Sequence, residues 1–498
     1  MSAAASPAAA AFEAPRLRSV GVGALVYGFG QAAGRLLLFL TLPIFTAYLA
    51  PDEFGLVALL AVLGFFARAA FGLGIGVSLG LVYFESGDPG RRAAAIWTAV
   101  AALSASGGFA LLLSAAFAGP LAAAALGDPT LGGLVVAQAA LVAAQLAAEP
   151  LLLRLQYERR PFAYVAATFG GALVGVGAAF LFVAVLGRGV SGWIEGFLLG
   201  ALSTLALAAV RALRDPGLRH GRFDPALVRP LLRHGLPMVP SFGFLFLLQN
   251  SGAWFLKELN GLGSAGLYHV GWSIGMAMGV ATAAFSAAWH PFFNAFAPRP
   301  QDGAAAFAKA LGLYVFLFGG LCLAFFALAR PVVALAAAPA YGEAFRVVGP
   351  VALAQFLIGL WSVLLPGMYF AREVHWVPLA QGLAAAAAVG LSLALARLWG
   401  MDGVALAMAA GAGVMVAAQL AVNRARGYAA SRLDWRRPGA LLALLAASAA
   451  AQRALDAQLG MAAAAVAGLG LLALYLAVGL GLGLAPSPAA ALRWRAAR

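Results

Sequence analysis

The chain has 498 residues, 63% of them hydrophobic and only 10% charged, with a mean hydropathy of +0.92, which excludes an ordinary soluble globular domain. Lys and Arg number 32 against 18 Asp and Glu, a formal charge of +14, but the basic residues lie between apolar runs rather than in one patch, which excludes a nucleic-acid footprint. The single cysteine, Cys322, sits in the apolar stretch GGLCLAFFALA and excludes a disulfide framework or a thiol metal centre.

A bilayer core about 30 Å thick takes roughly 20 helical residues. The Ala/Ser/Pro-rich start, residues 1–18, has Arg16 and Arg18 directly before the first apolar run instead of an early basic cluster. It reads as a disordered cytoplasmic tail and not as a cleaved signal peptide. Six spans are then predicted at about 19–49, 53–85, 93–118, 130–153, 161–186 and 190–211, forming an N-lobe over 19–211. Residues 212–234 are predicted as a linker. Within RFDPALVRPLLRHG, Leu227, Val228, Leu231 and Leu232 recur at helical spacing around Arg229 and Arg233, which predicts an amphipathic helix on the cytoplasmic face. Six more spans, at about 235–257, 264–297, 304–329, 345–370, 374–397 and 402–423, make a C-lobe over 235–425. Helices 13 and 14 follow at about 437–454 and 459–484 within 426–486, and a basic cytoplasmic tail occupies 487–498. The fold class is therefore all-α and integral to a membrane, with about fourteen transmembrane helices.

With the loops assigned alternately to two sides, 24 of the 32 Lys and Arg fall on the side of the N-terminal tail and 6 on the other. The remaining two, Arg35 and Arg68, lie inside spans. The positive-inside rule places both termini in the cytoplasm, as expected for a multi-pass protein of the cell (inner) membrane.

An offset of 211 residues superposes Gly55 on Gly266, Gly64 on Gly275, Gly189 on Gly400, Gly192 on Gly403 and Gly200 on Gly411. Each repeat would hold six spans, an even number, so both enter the membrane from the same side. This predicts two lobes related by a pseudo-twofold axis along the membrane normal, with a binding site between them near mid-depth. The offset carries Arg35 onto Phe246 and Arg68 onto Gly279, so the two charges belong to the N-lobe alone.

At 1.5 Å per residue, Arg35 and Arg68 stand about 24 and 21 Å along their helices. A cation at the centre of a span costs about 2.5–3.5 kcal/mol, so such residues face a bundle interior or a wet cavity. One reading is a structural arginine bonded to carbonyls or a carboxylate; the other is an anion site, because the guanidinium fork matches phosphate. Gln249, Asn250, His269, His290 and Asn294 are candidates for further polar contacts, although packing explains each alone. Glu149, in QLAAEPLLLRLQY, is the candidate proton or cation site for ion coupling, with a helix-end pair to Arg154 as its simpler expectation. GFGQAAG and GLGIG sit in apolar helices and read as packing positions, not phosphate loops. No Walker A motif, HExxH, CxxC or His cluster is present, so no catalytic residues, metal or cofactor are expected.

The stretches LPIFTAYLAPDEFGLVALL (Leu42–Leu60) and LAAAPAYGEAFRVVGPVALAQ (Leu335–Gln355) resemble the polysaccharide flippases of the multidrug/oligosaccharidyl-lipid/polysaccharide (MOP) exporter superfamily. The resemblance implies alternating access between two lobes and transport, rather than catalysis, of a polyprenyl-pyrophosphate-linked glycan from the cytoplasmic to the outer leaflet. It also implies basic residues in a central cavity, where Arg35 and Arg68 would hold the pyrophosphate. Membrane lipids and glycan polymerase or assembly proteins are the implied partners, and nucleic acid is not. Three alternatives stay open: a polyprenyl-sugar-dependent glycosyltransferase using Asp52 and Glu53, a cation-coupled exporter of the same superfamily, and a scaffold for glycan assembly.

The charge count predicts sidedness directly. In a Cys322→Ser background, Gly217→Cys should react with an impermeant maleimide only from the cytoplasmic side, and Gln458→Cys only from the outside. The reverse labelling pattern would overturn the orientation.

Overall fold

The computed structural model describes residues 41–85, 87–219, 221–294, 296, 303–428 and 434–484, and these fold into helices and turns without a strand among them. The expected N-terminal tail, Arg35 and the basic C-terminal tail lie outside the described residues. In chain order the helices are α1 (Pro51–Glu85), α2 (Pro89–Ala116), α3 (Pro129–Tyr157), α4 (Pro161–Val185) and α5 (Gly189–Arg214). The linker helix α6 (Pro225–Gly235) comes next, followed by α7 (Val239–Asn250) and α8 (Gly252–Asn260). Then come α9 (Leu262–Asn294), α10 (Ala304–Ala327), α11 (Pro339–Phe370), α12 (Trp376–Ala425), α13 (Arg436–Gln458) and α14 (Met461–Gly481).

Twelve helices among the described residues, counting α6 and α7 together as the one stretch Pro225–Asn250, are long and apolar enough to cross a membrane. One of them, α12, runs 50 residues but folds back at Gly400 (φ 53, ψ −130), so it contributes two spans and the number reaches thirteen. The run expected at 19–49 is described from residue 41 and is helical over 41–48. In hydrocarbon every backbone N–H and C=O must be bonded internally, which is why each apolar run closes into a helix. Side chains such as Leu112, Phe162 and Val466 stand exposed on the outer faces, as lipid-facing residues do.

The 211-residue repeat is visible in the helix ends. Ala116 and Ala327 close α2 and α10, and Arg214 and Ala425 close α5 and the second arm of α12. Gly189 and Gly400 both take a positive φ, 54 and 53, which favours glycine because a side chain there is strained. The lobes meet through α1 and α9 in a reciprocal contact. A Cβ on Gly55 would lie 2.2 Å from the Leu262 carbonyl oxygen, and one on Gly266 would lie 2.0 Å from that of Pro51. Pro51 and Leu262 are themselves one offset apart, so the same contact is made twice about the pseudo-twofold.

This contact seals the end of the bundle opposite the linker, here called the far end. Around it Tyr341 Oη donates to the Leu49 carbonyl at 2.7 Å, and the Ala338 N–H donates to Thr46 Oγ1 at 3.1 Å. At the linker end the halves Ile75–Glu85 and Ala277–Asn294 do not pack extensively against one another. The linker helix α6 begins at Asp224, whose carboxylate accepts the Ala226 N–H, and docks Leu227 and Leu231 onto the N-lobe. Nearby, buried Arg154 bridges Glu158 at 2.5 Å and also Asp215, which ends α5. The expected Arg154–Glu149 pair does not form, because these two partners already hold the guanidinium.

Burial alone would raise the Asp215 carboxyl. The Arg154 hydrogen bond, the Gly217 N–H and the Arg154 and Arg160 charges outweigh burial and hold it below its ordinary 3.8. Stability from this depressed group is full above that value and is lost as pH falls through the lower folded value. Thermal unfolding of Asp215→Asn should accordingly show less acid sensitivity than the native chain below pH 3.8.

Gly266→Val should cost about 1–3 kcal/mol of the far-end-closed state, because the new atoms meet fixed backbone. Maleimide labelling of Ala58→Cys, buried beside this contact, checks it in a Cys322→Ser background: low in the parent and raised by Gly266→Val.

Candidate functional site

α1 does not run straight. Leu73 and Gly74 take positive φ of 51 and 65, breaking the helix two-thirds of the way from the far end. The Phe71 carbonyl left free by the break accepts from Ser106 Oγ at 2.7 Å, so the bend leaves that polar group satisfied. Gly74 backs onto the end of the linker helix, where a Cβ would lie 2.1 Å from the Gly235 carbonyl oxygen. The bend turns the linker-end half of α1 away from α7 and opens a cavity of about 370 Å³ between the lobes. Phe65, Arg68 and Gly76 line it from α1, Glu149 from α3, and Phe246, Gln249 and Asn250 from α7.

Arg68 is fixed by two bonds. Its Nη2 meets Glu149 Oε2 at 2.9 Å, and its Nη1 meets Gln145 Oε1 at 3.3 Å. The guanidinium side chain stays 43% exposed toward the cavity, and the Glu149 side chain 25%. The Glu149 carboxylate is seated against Gly76, where a Cβ would come within 2.4 Å of Oε1. Across the cavity Gln249 Oε1 accepts from Gln355 Nε2 at 3.1 Å, and the Gln249 carbonyl accepts from the Trp272 indole at 2.9 Å. Asn250 Nδ2 makes only a long bond, 3.4 Å, to the Phe246 carbonyl.

The candidate residues thus separate. Arg68, Glu149, Gln249 and Asn250 come together at one cavity. His269 instead packs into the far-end seal, stacked on Trp272 with centroids 5.4 Å apart and facing Phe54 at 6.0 Å. His290 lies inside the C-lobe, with Nδ1 2.7 Å from the Ser286 carbonyl and its ring beside Tyr369, away from the cavity wall. Asn294 stands exposed at the linker end of α9. Of the two readings of Arg68, the bond to a carboxylate is the one present, since Glu149 reaches it from α3.

Two residues beyond the candidates also hold the site. Gln145 precedes Glu149 by four residues on the same helix, a spacing that puts both on one face and was available to sequence reasoning. Gln355 had no such signal, because it reaches Gln249 from a helix more than a hundred residues away. Among the described residues no cluster of His, Cys, Asp or Glu suits a metal ion.

The model of the polysaccharide biosynthesis protein family matches residues 20–296, more than half of the chain and all of α1 to α9. No match is found among curated proteins. The lipid II flippase MurJ in an inward closed conformation superposes with a TM-score of 0.64 at 12% identity, covering 91% of this chain and 98% of that one. A multidrug resistance MATE family transporter of the MOP superfamily, inward-facing, gives 0.60 at 18% identity, covering 80% and 95%. An outward-facing structure of a transporter of the same description gives 0.53 at 17% identity, covering 84% and 96%. These likenesses establish the fold, and the family model establishes the family. The chain belongs to the polysaccharide biosynthesis protein family and is built on the membrane-transporter fold of the MOP superfamily.

Proposed function

We propose that this transporter is a flippase that carries polyprenyl-pyrophosphate-linked oligosaccharide from the cytoplasmic to the outer leaflet by alternating access. The observation that carries the reading is Arg68, held on a bent helix at the wall of an interlobe cavity that is sealed at the far end. With the linker cytoplasmic, as the distribution of Lys and Arg favours, that cavity faces inward, where such a substrate is made.

A volume of about 370 Å³ suits a headgroup, within the range of small-ligand sites, while a polyprenyl tail stays in lipid. The exposed part of the Arg68 fork offers paired donors to a phosphate. Arg35, proposed for a share in the same headgroup contact, lies outside the described residues. Moving an anion outward, down the gradient of an inside-negative potential, releases about 2.3 kcal/mol per charge per 100 mV, so transport has a drive without nucleotide.

The transferase alternative draws little support from Asp52 and Glu53. Glu53 accepts the Ala50 N–H at 2.9 Å at the start of α1, and Asp52 lies against Gly263 in the far-end seal. Their surroundings favour capping and packing. A cation-coupled exporter would use Glu149 as a free carboxylate, whereas here it neutralises Arg68.

Depletion of the protein should leave completed lipid-linked glycan on the inner leaflet, read by protection from an impermeant reagent; a glycan stalled one sugar short would instead mark a transferase. At normal abundance Arg68→Ala should cut export at least about tenfold, from the loss of charge-assisted bonds of about 1.5–3 kcal/mol. Arg68→Lys should keep part of it, since charge remains without the fork. Normal export by Arg68→Ala would sink the assignment.

A further inference from the structure

Each terminal nitrogen of the Arg68 fork already has one donor taken, and the partner on one side is a carboxylate. Glu149 holds Nη2 of Arg68, and Gln145 holds Nη1. Among the described residues lining the cavity, Arg68 and Glu149 are the two that carry charge, so with both ionised the wall is neutral overall. An incoming pyrophosphate then meets no net attraction. If it displaced an ionised Glu149, the carboxylate would be left beside the headgroup as a like charge in apolar surroundings, which disfavours its charged form.

Taking Arg68 as the pyrophosphate site, on which this rests, we infer that Glu149 is an internal stand-in for the phosphate. The headgroup and one proton bind the cavity together: the headgroup takes the guanidinium, and the carboxylate accepts a proton from water at the linker end. No other bond is made or broken. The empty cavity keeps Arg68 neutralised by Glu149, and the loaded cavity keeps it neutralised by phosphate, so an uncompensated cation never faces the lobe interface.

The surroundings of Glu149 fit this exchange. Arg68 faces it from α1, and Gln145 and Tyr157 flank it on its own helix, Tyr157 being the further titratable group that acts on it electrostatically. Across the cavity α7 presents Phe242, Leu245, Phe246, Gln249 and Asn250, none of which titrates, and α2 and α5 send no charged side chain to the wall. Gly76 leaves the carboxylate its seat, since any side chain there would collide with Oε1. Gln145 is uncharged and gives Arg68 a hold that does not depend on pH.

The test is binding of farnesyl pyrophosphate to the purified full chain in nanodiscs, from acid to neutral pH. Linkage makes the native affinity rise by up to about tenfold per pH unit of acidification beyond the probe's own titration. Glu149→Gln, nearly isosteric, should bind more tightly than the native chain at neutral pH and show only the probe's pH dependence. Gly76→Ala, which unseats the carboxylate without removing it, should also tighten neutral-pH binding and serves if Glu149→Gln does not fold. Arg68→Ala should bind at least about tenfold more weakly at acid pH, from losing the charged hydrogen bonds. If Glu149→Gln keeps the native pH slope or binds more weakly, while Arg68→Ala remains poor, the carboxylate exchange is wrong and the pyrophosphate site stands. If Arg68→Ala binds as well as the native chain, the pyrophosphate site itself is wrong.

Discussion

Two helices that approach to backbone contact hold this molecule in its present shape. Gly55 on α1 and Gly266 on α9 each lie against a carbonyl of the other helix, at Leu262 and Pro51. Small residues are how helices associate in lipid, where no hydrophobic effect drives them together and packing must do it. Because the contact is made twice about a pseudo-twofold, the two lobes join at the far end and leave the linker end apart. The cavity is what remains between them. Both stretches that carry the family resemblance converge here, through Tyr341 to Leu49 and Ala338 to Thr46.

Against that near-symmetry the chemistry of the cavity is one-sided. The C-lobe positions equivalent to Arg68 and Glu149 are Gly279 and Leu360, and the polar group beside Gly279 is the amide of Gln355. One lobe therefore supplies charge and the other supplies amides and aromatic rings. A cation at mid-span costs about 2.5–3.5 kcal/mol, and the nearby carboxylate and the wet cavity offset that cost. A symmetric scaffold with an asymmetric wall can keep its lobe contacts while the chemistry of the site changes.

Helices α13 and α14 belong with the C-lobe and take no part in lining the cavity. Tyr475 on α14 donates to the Val315 carbonyl of α10 at 2.6 Å, filling the space beside Gly319. A Cβ on the N-lobe counterpart, Gly108, would meet no described neighbour within 4 Å, so the repeat departs from symmetry where the extra helices attach. At the far end Asp402 binds Arg346 at 2.5 Å and Arg453 of α13 at 2.6 Å, while Arg330 reaches the Leu459 carbonyl at 2.8 Å. These ties join α10 through α14 and fasten the added pair to the C-lobe.

Composition and periodicity by themselves determined the membrane setting, the all-helical class and the glycine repeat, because each follows from local rules. An apolar run must close its own hydrogen bonds in lipid, and a glycine at a tight turn such as Gly400 is legible one residue at a time. The oddity of Arg68 and Glu149 in apolar surroundings was legible for the same reason. Their pairing was not: Glu149 stood five residues from Arg154 and 81 from Arg68, and only the packing of α3 on α1, with Arg154 drawn off to Glu158 and Asp215, decided between them. His269, His290, Gln249 and Gln355 divided in the same way, two into packing and two into a hydrogen bond across helices. Sequence records what each helix carries, whereas which faces meet depends on rotations and bends, such as the break at Leu73 and Gly74, that arise only when all the helices pack together.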